Sequence, residues 1–184
     1  APTWMISHAW STPFASTLQM LALHARSRHC DDPLSTLYWC CTMANNQHDL
    51  AELNEDDILQ SPFARVLRSE DCVGTVLLCD GDVTPMRRVW CTFEMHLSEA
   101  LRSGRMDAKP RHLLDVAACV SSLPGQASSQ PAEGAAMLQD AYNGHWQEYS
   151  DLPDVFFPLE VARVGTTVDI AKATASMAHD RNAI

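Results

Sequence analysis

Basic residues are scarce in this chain of 184 residues: 13 Lys and Arg stand against 23 Asp and Glu, a formal net charge of −10. That balance argues against a general affinity for nucleic acid or anionic lipid. Long apolar runs are absent as well, so no membrane span is expected. There is no G-x-G-x-x-G, no G-x-x-x-x-G-K-[ST] and no G-x-S-x-G, which removes the usual dinucleotide-binding, P-loop and α/β-hydrolase readings. Neither C-x-x-C nor H-E-x-x-H occurs, and the nearest His/Cys cluster, His24, His29 and Cys30, has the wrong helical spacing for a zinc site, so no metal is expected. Seven cysteines are an odd number, and several sit in apolar stretches where Cys behaves as a small hydrophobe; a reduced, cytoplasmic protein is the expectation. The chain opens at Ala1 with no signal-peptide pattern, and a domain of a longer protein is compatible with that start.

What is present is ordinary globular material. Hydrophobic residues make up 46% and charged residues 20%, enough for one domain over residues 1–184. Thr3 to Ser7 is short and β-prone and leads to Thr12-Pro13, a cap followed by proline. Phe14, Leu18, Leu21 and Ala25 then mark a buried helix face. Leu37 to Cys41 is a second apolar run, too short for a helix, and Asn45 to His48 suits a loop. Residues 50–69 read as one or two helices, the second starting at Ser61-Pro62. Cys72 to Cys79 is a continuous apolar run of the kind buried on both sheet faces. Thr84-Pro85 opens a helix from about Met86 to Arg102, and His112 to Val120 supplies a fourth strand. An insertion or long loop is expected near 121–150, overlapping a helix over Ala135 to Tyr149, with a last strand over Val164 to Ile170 and a helical end from Ala171.

Strands of the buried type alternating with helices predict an α/β, flavodoxin-like, doubly wound parallel sheet of about five strands. Ligands of such sheets bind beyond the carboxyl ends of the strands. The residues there are Ser7, His8 and Trp10, then Asn46 and Gln47, then the segment from Asp80 to Glu94. Arg87, Trp90, Cys91 and Glu94 lie at helical offsets that place them along one stripe. A mid-helix Glu is ordinarily a solvated surface group, while an aromatic ring against a carboxylate raises its pKa and aims it at a ligand. Trp10 and Trp90 read equally well as packing residues, His8 as a strand-end histidine, and the Asn-Gln run as a turn. Cys91, inside a helix, is a poor nucleophile for a protease.

Three segments together resemble the Toll/interleukin receptor (TIR) fold, and in particular the TIR-like domains of single-celled eukaryotes. They are Ser7-His8-Ala9-Trp10 with Pro13-Phe14, Trp39 through Asn46-Gln47-His48, and Arg88-Val89-Trp90-Cys91-Thr92-Phe93-Glu94. The resemblance covers about the first 120 residues, with a looser echo in Val168-Asp169-Ile170 and from Ala173 to the end. W-C-x-x-E on the helix after the third strand is its most specific element, and in the enzymatic members of the family the glutamate is essential for cleaving NAD. The resemblance therefore implies Glu94 as catalytic residue. Cys41 stands where an acidic residue is expected two positions after Trp39, and Ala9 where several TIR enzymes carry a basic one, which leaves phosphate binding to Arg87 or Arg88.

In NAD the nicotinamide is already cationic at its glycosidic nitrogen, so its departure needs no general acid, and one carboxylate can stabilise the developing oxocarbenium. The expectation is a NAD-cleaving hydrolase of nucleotide signalling, giving ADP-ribose or a cyclic product. Glu94 is its catalytic residue, and Ser7, His8, Trp10, Asn46, Gln47, Arg87, Trp90 and Cys91 contact the substrate. No cofactor beyond the substrate NAD is expected, and the partner is a second copy through TIR-TIR contacts. The alternatives are a non-enzymatic module that signals by self-association and, third, a nucleoside-transferring relative.

Overall fold

A computed structural model describes residues 3–28, 36–45, 58–106, 112–120, 134–138 and 159–174. Four parallel strands form the sheet: β1 (Thr3–His8), β2 (Leu37–Cys40), β3 (Cys72–Cys79) and β4 (Leu113–Val120). A fifth, β5 (Gly134–Leu138), pairs antiparallel with β4, and the order across the sheet is β2-β1-β3-β4-β5. This is the flavodoxin-like order, with the chain reversing direction across the sheet at β1. The α/β expectation holds, with four parallel strands rather than five.

The strand expected over Val164 to Ile170 is absent. Leu159–Thr166 forms helix α5, and Ile170–Lys172 a single 3-10 turn. The edge strand comes instead from the start of the segment expected to be helical, where pairing to β4 outweighs the helix preference of Ala135, Ala136 and Met137. The rest of the expected insertion, residues 121–133 and 139–150, lies outside the described residues.

Elsewhere the local chemistry gives the element. The β3 run is buried at every position except Val73, as a strand covered on both faces must be. Its Gly74 is required by close approach: a Cβ there would stand 2.6 Å from the Leu113 carbonyl oxygen and 2.6 Å from the Trp4 ring. Helix α3 (Pro62–Arg68) starts as the sequence predicts, with the Ser61 hydroxyl accepting from the Ala64 N–H at 3.4 Å and Pro62 in the first turn.

Helix α1 (Phe14–Ser27) begins without the expected cap. Pro13 occupies the N-cap position, and the Thr12 hydroxyl is buried with no partner. Its buried face is Thr17, Met20, His24 and Ser27 rather than the Phe14, Leu18, Leu21, Ala25 stripe, and Phe14 and Leu18 are exposed. The reason lies in the sheet beneath. Asp115 of β4 is wholly buried there, and a buried carboxylate must be paired. It accepts from His24 Nε2–H at 3.0 Å and from two Arg28 N–H groups, Nε at 2.8 Å. His24 Nδ1 in turn pairs with the Tyr38 hydroxyl at 2.6 Å. Polar partners thus take much of the inner face of α1, while Leu21 of the expected stripe still packs, half-buried, against the core beside Met20.

The opposite sheet face carries α3 and α4 (Val89–Arg102). Met5, Phe63, Leu67, Phe93, Leu97 and Leu101 fill the layer between them. The helix expected from Met86 is split: Thr84–Arg87 is a 3-10 turn, and Arg88 is extended, forming a parallel bridge with Thr174. The Val89 N–H donates to the Thr174 carbonyl and the Thr174 N–H to the Arg87 carbonyl. That pairing takes the backbone groups an unbroken helix would use. Among the described residues no helix is long and apolar enough to cross a membrane.

Candidate functional site

The carboxyl end of β1 organises the site. Alternation along the strand sends Met5 and Ser7 to the α4 face, and Ile6 to the α1 face. Beyond His8 the chain turns at once, the Thr12 N–H donating to the Ala9 carbonyl at 3.0 Å, and Trp10 is left 59% exposed at the bend. The first turns of α4 come up beside this strand end, the Cys91 thiol donating to the His8 carbonyl at 3.4 Å. One turn further along α4, Glu94 is brought to Ser7.

Glu94 is 3% exposed, so it is not the solvated surface group that a mid-helix Glu ordinarily is. The buried face of α4 is broad, running from Val89 through Cys91, Phe93, Glu94, Leu97 and Ser98 to Leu101, because the helix packs on both the sheet and α3. Four polar atoms around the β1 end are buried with no hydrogen-bond partner: Ser7 Oγ, His8 Nδ1, Thr12 Oγ1 and Glu94 Oε2. Each unpartnered buried group costs about 1 to 3 kcal/mol, so a buried acid oxygen without a partner at a strand end calls for an explanation.

Burial is the main cause that pushes the Glu94 pKa up to about 8, against a smaller pull downward from the Ser7 hydroxyl and the Arg88 guanidinium. The Ser7 hydroxyl is near enough for that pull but closes no bond of ordinary geometry with the acid. His8 is lowered by burial and by Arg88, which keeps the imidazole neutral. Two thiols border the acid. Cys41 is pushed up to about 12 by burial and then by the Glu94 charge, with the Trp10 indole N–H partly offsetting both. Cys91 is raised further by the same two causes. Both stay protonated, so neither is a ready nucleophile.

The other expected site residues divide. Ser7, Cys91 and Glu94 come together, His8 joins them through its main-chain carbonyl, and Trp10 reaches them through Cys41. Arg87 is exposed, and the cation whose field reaches Glu94, His8 and Cys91 is Arg88. Trp90 packs inward, its ring stacked on Phe63 at 5.0 Å between centroids and edge-on to Phe93 at 6.2 Å. Asn46 and Gln47 lie outside the described residues. Cys41 is a residue of this group that the sequence marks only as a departure from the family pattern. Cys41 is the first residue after β2 and opens the short helix α2 (Cys41–Ala44), a position that by itself marks it. Among the described residues no three His, Cys, Asp or Glu side chains converge as a metal ion needs. No family model matches the chain, and neither a curated protein nor a solved structure matches it.

Proposed function

We propose that the chain is a TIR-type enzyme that cleaves NAD, releasing nicotinamide and forming ADP-ribose or a cyclic ADP-ribose, with Glu94 as its catalytic residue. The observation that carries the reading is the buried carboxyl of Glu94, its Oε2 without a hydrogen-bond partner, beside Ser7 at the end of β1. A carboxyl held near a pKa of 8 is largely protonated at neutral pH. Arrival of the cationic nicotinamide ring favours its ionised form, since an opposite charge close by lowers an acid's pKa. The bond from the ribose C1′ to the nicotinamide nitrogen then breaks, its electron pair leaving with the neutral base. The carboxylate stabilises the oxocarbenium left behind. Water adds at C1′ and loses a proton to solvent, or an adenine nitrogen of the same molecule adds and gives the cyclic product.

Ser7 and the neutral His8 supply hydrogen bonds to ribose hydroxyls, and the exposed ring of Trp10 a stacking surface. Trp90, stacked on Phe63, supports the helix that carries the acid. Arg88 is the cation for the phosphates. Free thiols at Cys40, Cys41, Cys72, Cys79 and Cys91 support a reducing, cytoplasmic setting. The test is incubation of the purified chain with NAD and chromatographic separation of nicotinamide, ADP-ribose and cyclic products; NAD left intact contradicts the proposal.

A second reading, a signalling module acting by self-association, is favoured by one feature. Trp10, Phe14 and Leu18 are 59%, 59% and 50% exposed at the start of α1, an apolar strip of the kind used for contacts between copies. The two readings share self-association, with a second copy as the proposed partner, and differ in whether the chain cleaves NAD.

A further inference from the structure

Behind Glu94 two buried hydroxyls link α4 to β3 and on to His112, the residue before β4. The Ser98 hydroxyl donates to the main-chain carbonyl of Glu94 at 2.7 Å. Its single proton is thereby spent, so the 2.7 Å contact between Ser98 Oγ and Thr75 Oγ1 has Thr75 as donor. The Thr75 proton is then spent too, and the 3.0 Å contact with His112 Nε2 has the imidazole N–H as donor. Each direction follows from the last, giving His112 to Thr75 to Ser98 to Glu94. Ser98 and Thr75 are fully buried and His112 is 2% exposed.

We propose that His112, Thr75 and Ser98 are positioning residues that hold the α4 turn bearing Glu94 at a fixed depth against β3 and β4, so that its carboxyl stays beside Ser7. This rests on Glu94 being the catalytic residue. A serine bonding back to the carbonyl four residues earlier is common in helices; here that serine is itself gripped by a strand, and the strand residue by a third group. Phe93, Leu97 and Leu101 hold α4 through apolar contacts, which set no direction. The hydroxyl line is directional and ends on the backbone of the residue that carries the acid. Small displacements of a reacting group lose large factors in rate.

The test uses the full chain with NAD as probe. Thr75→Val keeps the side-chain shape and removes the donor, Thr75→Ser restores it, and Ser98→Ala cuts the line at the helix with a residue that favours helix. Met20→Ala, under α1 on the other sheet face, serves as a destabilised control. Expected are a drop in kcat of about tenfold for Thr75→Val and Ser98→Ala, KM within about twofold, and a displaced pH midpoint of kcat, with Thr75→Ser near the parent and Met20→Ala unchanged in kcat below its melting temperature. If Thr75→Val and Ser98→Ala keep parental kcat and pH profile while Glu94→Gln is inactive, the line is packing only and the inference fails. If Glu94→Gln itself turns over NAD, the functional reading falls and takes the positioning role with it.

Discussion

The Ser7 side chain lies beside the Glu94 carboxyl at the carboxyl end of β1, both buried, with Glu94 Oε2 left without a hydrogen-bond partner. A strand-end hydroxyl and a helix carboxyl held in this way are costly to the fold. That cost sets the pH dependence of stability. Because burial raises the Glu94 pKa to about 8 from an ordinary 4.5, the folded state binds the proton more tightly than the unfolded chain. The acid's contribution is then fully present below about pH 4.5 and lost as pH rises through about 8. Glu94→Gln should therefore melt at a higher temperature than the parent at pH 8.5 and show little difference near pH 4. Thermal unfolding at the two pH values checks this, and equal melting at both contradicts a buried, raised acid.

The two tryptophans should separate. Trp10 is largely exposed, so Trp10→Ala is expected to leave the melting temperature nearly unchanged and to weaken NAD binding by roughly 1 to 3 kcal/mol, the scale for stacking on a base. Trp90 lies against Phe63 and Phe93, and Trp90→Ala should cost on the order of 3 kcal/mol of stability. Calorimetric titration with NAD beside urea unfolding distinguishes them. Equal losses in both measurements for Trp10→Ala would mean that its ring packs rather than binds.

Gly74→Ala should be badly tolerated. The added Cβ meets the Leu113 carbonyl oxygen and the Trp4 ring at 2.6 Å each, and backbone on the neighbouring strand cannot step aside without breaking the β3–β4 pairing. A loss of about 2 kcal/mol or more is expected, read from urea unfolding; a change within about 0.5 kcal/mol would contradict the close packing of Trp4 over this position.

Much of the fold was legible because buried parallel strands are apolar along their whole length. Cys72–Cys79 announces itself this way, as does Leu113–Val120 apart from Asp115, and Ser61-Pro62 marks its helix by local chemistry. The failures have physical causes. Val164 to Ile170 is rich in β-branched residues yet mostly helix and turn, since a short apolar run does not declare its period. Gly134–Leu138 has helix-prone residues yet completes the edge of a sheet. The face of α1 was misjudged because Asp115, some 90 positions away in sequence, calls His24 and Arg28 inward. At the site, helical spacing showed that Glu94 shares a stripe with Trp90 and Cys91. It did not show that the stripe is buried, because burial on α4 depends on α3 and the sheet together.

Self-association should raise activity. The net charge of −10 opposes the approach of copies, so moderate salt ought to help by screening, and the exposed Phe14 and Leu18 offer the apolar contact. Turnover per molecule is expected to increase with protein concentration, and Phe14→Glu to flatten that increase. Turnover that stays constant while light scattering reports monomer throughout would mean that one chain completes the site.

The central claim is tested most directly by the rate of nicotinamide release from NAD by the parent chain and by Glu94→Gln, measured side by side on protein shown to be folded by its melting transition. The account predicts measurable release by the parent, a rate that rises with pH as the acid ionises, and a loss of at least about 100-fold in the variant, the scale for removing one electrostatic stabiliser of a transition state. Parental release by a folded Glu94→Gln would contradict it.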